Sequence, residues 1–183
     1  MDNNKVTVLL TGANGYVASW LVKKLIERGH TVHASVRNIN DSSKTDHLKS
    51  FSKANTNKLK IFEADLLKQG SFSKAMEGCS IVFHTASPFK LDIKNAQKEL
   101  IDPALKGTEN VIRTANKVSS VKRIVLTSSV AAMYSDASEC QQYENNEINE
   151  SVWNKTASLS YQPYSYSKRL SEERAWELQS LQK

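Results

Sequence analysis

Short apolar runs alternate along this chain with longer segments in which apolar residues recur at helical spacing. Residues 6–10 form the first run, which is rich in β-branched side chains and has no polar alternation. Such a run is typical of a strand that is buried on both faces of a parallel sheet. The next segment is predicted to be a helix, because Val17, Leu21 and Leu25 lie at helical spacing with Trp20 alongside.

The same patterns predict the rest of the architecture. Four further strands are expected at residues 31–36, 59–62, 81–84 and 124–126. Helices are expected at residues 72–76, from Asp102 onward, and from Tyr164 to the C-terminus. Asp102 is predicted to cap its helix, with Pro103 in the first turn. Strands that alternate with helices in this way predict an α/β fold with a doubly wound parallel sheet.

A polar segment separates the fifth predicted strand from the last helix. Residues 136–160 carry five acidic residues against one lysine, and their main apolar anchors are Val152 and Trp153. We therefore predict a long surface loop, and loops of this length are usually functional or disordered.

The length of the chain predicts one domain, residues 1–183. Its excess of basic residues favours anionic ligands. Lys and Arg outnumber Asp and Glu by 25 to 19, but the basic residues are scattered, which argues against nucleic acid as a partner. Cys79 and Cys140 are isolated, so we expect a reduced cytosolic setting and no metal site. The chain leaves no room for a signal peptide and has no apolar stretch of membrane-spanning length, so we expect a cytoplasmic protein without a membrane partner.

A glycine-rich turn, Thr11-Gly-Ala-Asn-Gly-Tyr-Val-Ala18, joins the first strand to the first helix. Backbone N–H groups and the positive end of a helix dipole meet at such a turn, and together they bind phosphate. Gly12 permits the tight turn, Gly15 leaves room for a pyrophosphate, and the small Ala18 lets the helix approach the strand. The turn therefore predicts a dinucleotide site. The alternative is an ordinary strand-to-helix connection.

The end of the second strand predicts which dinucleotide is bound. An acidic residue there would bind the ribose 2′-hydroxyl, but this chain has Arg37, with Lys44 a few positions on. Two basic side chains suit a 2′-phosphate and hence NADP(H). The alternative is a pair of exposed basic residues on a loop.

Two further strand ends are expected to line the cofactor. Asp65 follows the third strand and could accept a hydrogen bond from the adenine amino group, the competing roles being a helix cap or simple solvation. Residues 85–88 follow the fourth strand and should run beside the ribose and the nicotinamide. His84 lies in an apolar strand and is predicted to be a structural histidine.

Tyr164 and Lys168 stand four residues apart, on one face of the last predicted helix. A tyrosine with an ordinary pKa of about 10 is a poor acid at neutral pH unless a nearby ammonium stabilises its phenolate. Ser129, at the carboxyl end of the fifth strand, could reach the same point and bind a substrate carbonyl oxygen. The alternative for the Tyr-x-x-x-Lys spacing is an exposed helical pair.

Taken together, the glycine turn, His84-Thr-Ala-Ser-Pro88, Leu126-Thr-Ser-Ser129 and Tyr164-x-x-x-Lys168 resemble an extended short-chain dehydrogenase/reductase. These enzymes belong to the NAD-dependent epimerase/dehydratase superfamily and have a Rossmann fold. The resemblance is greatest to the dihydroflavonol reductase, cinnamoyl-CoA reductase and aldehyde reductase branch. It implies a catalytic triad of Ser129, Tyr164 and Lys168, with Arg37 and Lys44 on the 2′-phosphate.

The full set of predicted cofactor contacts follows from the motifs and this resemblance. It comprises Thr11, Gly12, Asn14, Gly15, Tyr16, Val17, Arg37, Lys44, Asp65, Leu66, Thr85, Ala86, Ser87 and Lys168. One departure concerns substrate: position 134 is a tyrosine where flavonoid-reducing members are expected to have asparagine, which disfavours a flavonoid.

The function implied by the resemblance is NADPH-dependent reduction of an aldehyde or ketone, a small-molecule carbonyl substrate. Hydride passes to the carbonyl carbon while Tyr164 donates a proton to the oxygen. Two alternatives stay open. A nucleotide-sugar epimerase or dehydratase uses the same triad, although Arg37 and the residue 84–88 loop argue against it. A non-catalytic NADP-binding module would bind the cofactor without turnover.

The family resemblance also implies a longer protein. Its members continue through further strands and a C-terminal substrate domain, which is absent from this sequence, so we expect impaired activity. The fifth strand would then present unpaired backbone groups, and self-association through this exposed sheet edge is expected.

Overall fold

The computed structural model of the chain describes residues 5–53, 57–90 and 92–180. The strands are β1 (Thr7–Thr11), β2 (Thr31–Val36), β3 (Leu59–Glu63), β4 (Ile81–His84) and β5 (Arg123–Leu126). The α-helices are α1 (Tyr16–Glu27), α2 (Ser42–Lys53), α3 (Ser73–Met76), α4 (Asp102–Ala115) and α5 (Pro163–Ser180). A π-helix covers Gln97–Ile101, and 3-10 helices cover Val130–Ala132, Ala137–Gln142 and Glu144–Asn146.

All five strands form one parallel sheet in the order β3-β2-β1-β4-β5. This confirms the predicted doubly wound sheet. The order reverses at β1, so β1 has β2 on one side and β4 on the other. Open α/β sheets bind ligands outside the carboxyl ends of the strands at such a switch point. Here those ends are Thr11 on β1 and its register partner His84 on β4.

The chain divides into two compact units. Unit 1 consists of Met1–Ala86 and Asn110–Thr127, and contains the whole sheet. Unit 2 consists of Ser87–Glu109 and Ser128–Lys183. Within unit 2, α5 packs against the π-helix and against the 3-10 helix Val130–Ala132. The assignment of residues 1–183 to one domain stays a prediction.

The centre of unit 1 confirms that β1 is buried on both faces. Val8 and Leu10 belong to one apolar cluster together with Val22 of α1. Leu9, which points to the opposite face, belongs to a second cluster with Met76. Neighbouring residues of a strand face opposite sides, so a run without polar alternation requires an apolar layer on each side of the sheet.

The stripe of Val17, Leu21 and Leu25 that predicts α1 is only partly its buried face, and the expected close approach of Ala18 to the strands is confirmed. Val17 and Trp20 are 63% and 51% exposed. The helix instead buries Ala18, Val22, Leu25 and Ile26. Both stripes have helical spacing, and the sheet selects the one that begins with the small Ala18, because a small residue lets the helix lie close to the strands.

Asp102 is not the cap of its helix, contrary to the prediction. Its backbone is helical, with φ −58° and ψ −48°, because the π-helix runs directly into α4. The cap lies earlier, where Asn95 Oδ1 accepts the Lys98 N–H at 3.0 Å. The Asp102 carboxylate instead accepts hydrogen bonds from Gln97 and Lys106.

Helix α2 was not predicted, because its sequence is almost entirely polar and only a few residues, such as Thr45 and Leu48, are buried.

The predicted loop over residues 136–160 contains two short 3-10 helices, and the first of them begins with a capping box between Asp136 and Glu139. The last helix was predicted to reach the C-terminus, but residues 181–183, like residues 1–4, lie outside the described residues.

Candidate active site

The glycine turn of unit 1 leads into an exposed first turn of α1. Gly15 N–H donates to Gly12 O at 2.9 Å, which closes the turn. Gly15 is the N-cap of α1, with extended backbone and no side-chain cap, and the first turn of α1 carries no acidic residue. The first N–H groups of a helix lack partners within the helix, so they and the helix dipole form a site for an anion such as a phosphate.

Position 12 requires a glycine for two reasons. Its φ is +62°, in the left-handed region that L side chains rarely adopt. A Cβ built at this position would also lie 3.0 Å from the Ala86 Cβ and 3.1 Å from the Ala86 Cα. The turn therefore runs unusually close to the segment that follows β4.

Thr11 holds that segment in place. Its side chain is completely buried, and Oγ1 accepts hydrogen bonds from the Thr85 N–H at 3.1 Å and the Ala86 N–H at 3.0 Å. The Thr85 hydroxyl donates in turn to the Thr11 carbonyl oxygen. The side chain of Thr11 thus positions the strand ends rather than facing a ligand.

His84 is buried and lies 2.9 Å from Thr11 Oγ1 through its Nδ1. This agrees with the predicted structural role, because both groups are enclosed within unit 1. The other residues of the turn are more open. Asn14 is half-buried, and Tyr16 and Val17 are exposed at the start of α1, where a ligand can reach them.

The two basic residues predicted to bind a 2′-phosphate differ in their surroundings. Arg37 is exposed directly after β2. Lys44 lies in the first turn of α2, where its Nζ is 3.1 Å from an Asp41 carboxylate oxygen. Hydrogen bonds from Ser43 and from Lys44 lower the pKa of Asp41, which keeps this carboxylate charged. Arg37 is therefore the stronger candidate for an anionic ligand.

Asp65 already uses one carboxylate oxygen locally. Its Oδ1 accepts the Leu67 N–H at 2.7 Å, a turn stabilised by a side chain. Asp65 and Leu66 are both half-buried. This turn is neither the helix cap nor the simple solvation that competed with an adenine contact, and the adenine contact stays a prediction. Ser87, the next predicted contact, is the half-buried first residue of unit 2.

In unit 2, helix α5 carries the predicted tyrosine and lysine. Lys168 is only 8% exposed, and its Nζ lies 5.9 Å from the centre of the Tyr164 ring. Burial lowers the pKa of the Lys168 ammonium, and the charge of Glu172 opposes that shift. The exposed-pair alternative for this spacing is therefore wrong, because the lysine is enclosed beside the tyrosine.

Ser129 lies at the start of the 3-10 helix Val130–Ala132, which packs against α5. Its Oγ accepts the Ala131 N–H at 3.2 Å. A hydroxyl that accepts one hydrogen bond still has its own proton to donate. The fold thus brings the segment of Ser129 and the helix of Tyr164 and Lys168 together within one unit.

The structure adds three residues that the sequence patterns did not identify. Phe89 meets the Tyr164 ring edge-on, with ring centres 5.4 Å apart. The Glu172 carboxylate accepts a hydrogen bond from Ser128. Only Glu172 could have been found from sequence, because it stands four residues after Lys168, on the same helical face.

The third added residue, Asn154, anchors the polar segment before α5. It is fully buried, and its Nδ2 donates to Ala131 O at 2.9 Å. Its Oδ1 accepts the Ala157 N–H at 2.8 Å, and its carbonyl oxygen accepts a hydrogen bond from Arg169 of α5 at 2.6 Å. Through its side-chain amide and its backbone carbonyl, Asn154 therefore joins the residues after Ser129 to the helix that carries Tyr164.

Two neighbouring tyrosines have other partners. Tyr161 donates to the Asp136 carboxylate, which raises the pKa of its phenol and keeps it protonated. The Tyr166 ring lies 5.1 Å from the guanidinium carbon of Arg169. Neither ring has the lysine partner that Tyr164 has, in agreement with the spacing.

No group of three or more His, Cys, Asp or Glu side chains within the described ranges is placed to hold a metal ion. None of the helices in the part of the chain that the structure describes is long and apolar enough to cross a membrane.

Comparison with known proteins identifies relatives along nearly the whole chain. The profile of the 3-beta hydroxysteroid dehydrogenase/isomerase family matches residues 9–177. A cinnamoyl-CoA reductase from Medicago truncatula is 46% identical over 172 residues, which cover 92% of this chain and 52% of the relative. A dihydroflavonol 4-reductase from Gerbera hybrida is 37% identical over 176 residues, covering 96% of this chain and 48% of the relative.

A similar structure has also been solved. The crystal structure of Gre2 from Candida albicans in complex with NADPH matches 97% of this chain and 54% of its own, with a TM-score of 0.81 and 28% sequence identity. The chain thus spans about half the length of the proteins that it matches.

Proposed function

Since the chain belongs to the 3-beta hydroxysteroid dehydrogenase/isomerase family, we propose that it is an NADPH-dependent reductase of aldehydes or ketones. The observation that carries this proposal is the enclosure of Lys168 beside Tyr164 on α5, with the Ser129 segment packed on the same helix. Named relatives that are reductases and a similar structure in complex with NADPH support it.

The residues of unit 1 suit the cofactor. The turn at Gly12 and Gly15 offers uncapped helical N–H groups to a pyrophosphate, and Arg37 offers an exposed guanidinium to a 2′-phosphate. NADPH, when bound, supplies a hydride to the carbonyl carbon of the substrate. The residues predicted above as cofactor contacts are proposed to hold it, except the side chain of Thr11, which is buried and bonded to Thr85 and Ala86.

The residues of unit 2 handle the proton. Tyr164 donates its phenolic proton to the carbonyl oxygen as the alcohol forms, and the phenolate that remains is stabilised by the Lys168 ammonium. Ser129 Oγ accepts the Ala131 N–H through a lone pair, so its hydroxyl proton can form a hydrogen bond to the same substrate oxygen. Solvent then returns a proton to Tyr164.

The substrate is proposed to be a small carbonyl compound with an apolar or aromatic group. Phe89 is exposed and lies edge-on to Tyr164, so an apolar substituent beside the reacting carbonyl could pack on it. Tyr134 is half-buried shortly after Ser129 and occupies the position where an asparagine is expected for flavonoids. Flavonoid ketones are therefore proposed to be poor substrates.

Two measurements test this function. The first is titration of the purified chain with NADPH, followed by cofactor fluorescence. The second is NADPH absorbance during incubation with a panel of aromatic and aliphatic aldehydes. We expect saturable binding and an aldehyde-dependent loss of absorbance. Binding without turnover would indicate a non-catalytic NADP-binding module, and tightly retained oxidised NAD after purification would indicate an epimerase or dehydratase.

A further inference from the structure

The carboxylate of Glu172 connects two parts of unit 2 that the proposed chemistry uses. Its Oε2 accepts a hydrogen bond from the Ser128 hydroxyl, and its Oε1 accepts the indole N–H of Trp176 at 3.4 Å. Ser128 immediately precedes Ser129, and Glu172 lies one helical turn after Lys168. One half-buried side chain therefore contacts the segment of one proposed catalytic residue and shares a helical face with another.

The hydrogen bond to Ser128 restrains Ser129. The position of the Ser129 hydroxyl depends on the path of the backbone that leads into the 3-10 helix Val130–Ala132. A hydrogen bond to a carboxylate is stronger than one between neutral groups. Glu172 thus supplies a strong link between this path and α5.

Glu172 also supplies the charge that acts on Lys168. The 3-10 helix Val130–Ala132, which packs on α5, has no ionisable side chain. In the π-helix, which also packs on α5, Lys98 is exposed and the Glu99 carboxylate is bonded to Lys90. On α5 itself, Glu173 pairs with Arg169. Glu172 is therefore the carboxylate that opposes the effect of burial on Lys168.

We propose that Glu172 is a positioning residue, which ties the Ser128–Ser129 segment to α5 and places a negative charge on the helical face of Lys168. Its effect on turnover rests on the proposed function. Its effects on the Ser129 segment and on Lys168 are properties of the chain alone and can be measured without cofactor or substrate.

Three variants of the 183-residue chain separate the two roles. Glu172→Gln keeps the shape and an acceptor oxygen but removes the charge. Ser128→Ala removes the hydrogen bond but keeps the charge. Glu177→Gln is the matched control, because Glu177 is an exposed carboxylate of the same helix that pairs with Arg174. All three are measured by NMR, through the pH titration of the Lys168 ¹³Cε resonance and the hydrogen exchange of the Ala131 amide, which is bonded to Ser129 Oγ.

We expect Glu172→Gln to lower the titration midpoint of Lys168, because loss of an opposite charge on the same helical face leaves the effect of burial unopposed. Ser128→Ala should leave that midpoint in place and speed exchange at Ala131 several-fold. Glu177→Gln should change neither quantity. An unchanged midpoint in Glu172→Gln, an equal shift in Glu177→Gln, or unchanged exchange in Ser128→Ala would overturn the proposal.

If the wild-type chain reduces a carbonyl, Glu172→Gln should lower kcat by roughly tenfold with little change in KM. The pH dependence of kcat should shift to lower pH, as the titration midpoint of Lys168 does. A change in KM alone would contradict the positioning role. If the wild-type chain shows no turnover, the proposed function fails, and the two NMR measurements still decide the role of Glu172.

Discussion

Burial divides the side chains of the proposed site into those that build it and those that can meet a ligand. Thr11 and His84 are enclosed and bonded to one another at the ends of β1 and β4. Arg37 is exposed directly after β2, and Tyr16 is exposed at the start of α1. Substitutions of the enclosed side chains should disturb the fold. Substitutions of the exposed side chains should change ligand binding and leave the fold intact.

Arg37→Asp should weaken NADPH binding roughly 10- to 100-fold and NADH binding far less, because it removes a charge-assisted contact and repels the 2′-phosphate. Dissociation constants for both cofactors, measured by fluorescence titration, check this expectation. Arg28→Asp is the control, since Arg28 is an exposed arginine at the opposite end of α1 and carries the same change in charge. An unchanged ratio of the two constants in Arg37→Asp would falsify the assignment.

Tyr164→Phe should lower turnover by about 10²- to 10⁴-fold, because it removes the proposed proton donor and leaves the ring in place. The affinity for NADPH should stay within about twofold, since the proposed phosphate contacts lie in unit 1. Steady-state rates and cofactor titration measure the two effects. Tyr166→Phe is the matched control, because its ring packs on Arg169. Retained activity in Tyr164→Phe would mean that the acid lies elsewhere.

At the scale of elements, the strand–turn–helix unit β1–α1 depends on contact with the residues after β4. Gly12 and Gly78 both have positive φ, at +62° and +71°. Only at Gly12, of these two positions, would an added Cβ meet other atoms within 4 Å. An alanine at position 78 therefore tests backbone strain alone, and an alanine at position 12 tests the same strain together with steric contact.

Gly78→Ala should cost about 1–2 kcal/mol of unfolding free energy through backbone strain alone. Gly12→Ala should cost about 2–4 kcal/mol, because contact with Ala86 adds to the same strain. Urea denaturation without cofactor measures both values. Equal losses in the two variants would show that the turn has room to shift away from Ala86.

Helix α5 organises the proposed chemistry as one element. Tyr164, Lys168 and Glu172 follow one another at intervals of four residues, so they lie along a single face. Small buried residues, Ser167 and Ser171, lie between them and donate hydrogen bonds to the carbonyl oxygens of earlier turns at 2.6 and 2.7 Å. Their small size allows close packing of the neighbouring segments against the helix.

At the scale of the whole molecule, the edge of the sheet is the feature most relevant to partners. Among the described residues, β5 pairs with β4 on one side only, and Val125 in its centre is 39% exposed. A strand edge with unpaired backbone groups and apolar side chains is a template for pairing with another strand. We propose that the 183-residue chain self-associates through β5.

Sedimentation velocity over a range of concentrations tests this proposal. We expect a concentration-dependent dimer or larger species, which Val125→Lys shifts toward monomer, because a charge at the centre of an edge strand opposes pairing. Leu67→Lys is the control, since Leu67 is an exposed apolar residue outside the strands. A wild-type chain that stays monomeric, or an equal effect of both variants, would contradict an interface at β5.

Features that depend on near neighbours in the chain were determined by the sequence itself. The strands, the glycine turn and the spacing of Tyr164 and Lys168 could be predicted, because apolar runs, backbone freedom and helical period each act over a few residues. Helix α2 was missed because its polar sequence has no apolar stripe at helical spacing. Asp102 was wrongly predicted as a cap because no local sequence pattern indicates the π-helix before it.

Only the tertiary structure decided which of these residues are enclosed and what they contact. The face of α1 that is buried, the closeness of Gly12 to Ala86 and the burial of Lys168 depend on how elements pack. Ala86 donates to Thr11 across 75 positions, and Ser128 donates to Glu172 across 44. Contacts between residues so far apart in sequence form because packing of the apolar faces fixes where each chain segment lies, and no local pattern encodes that distance.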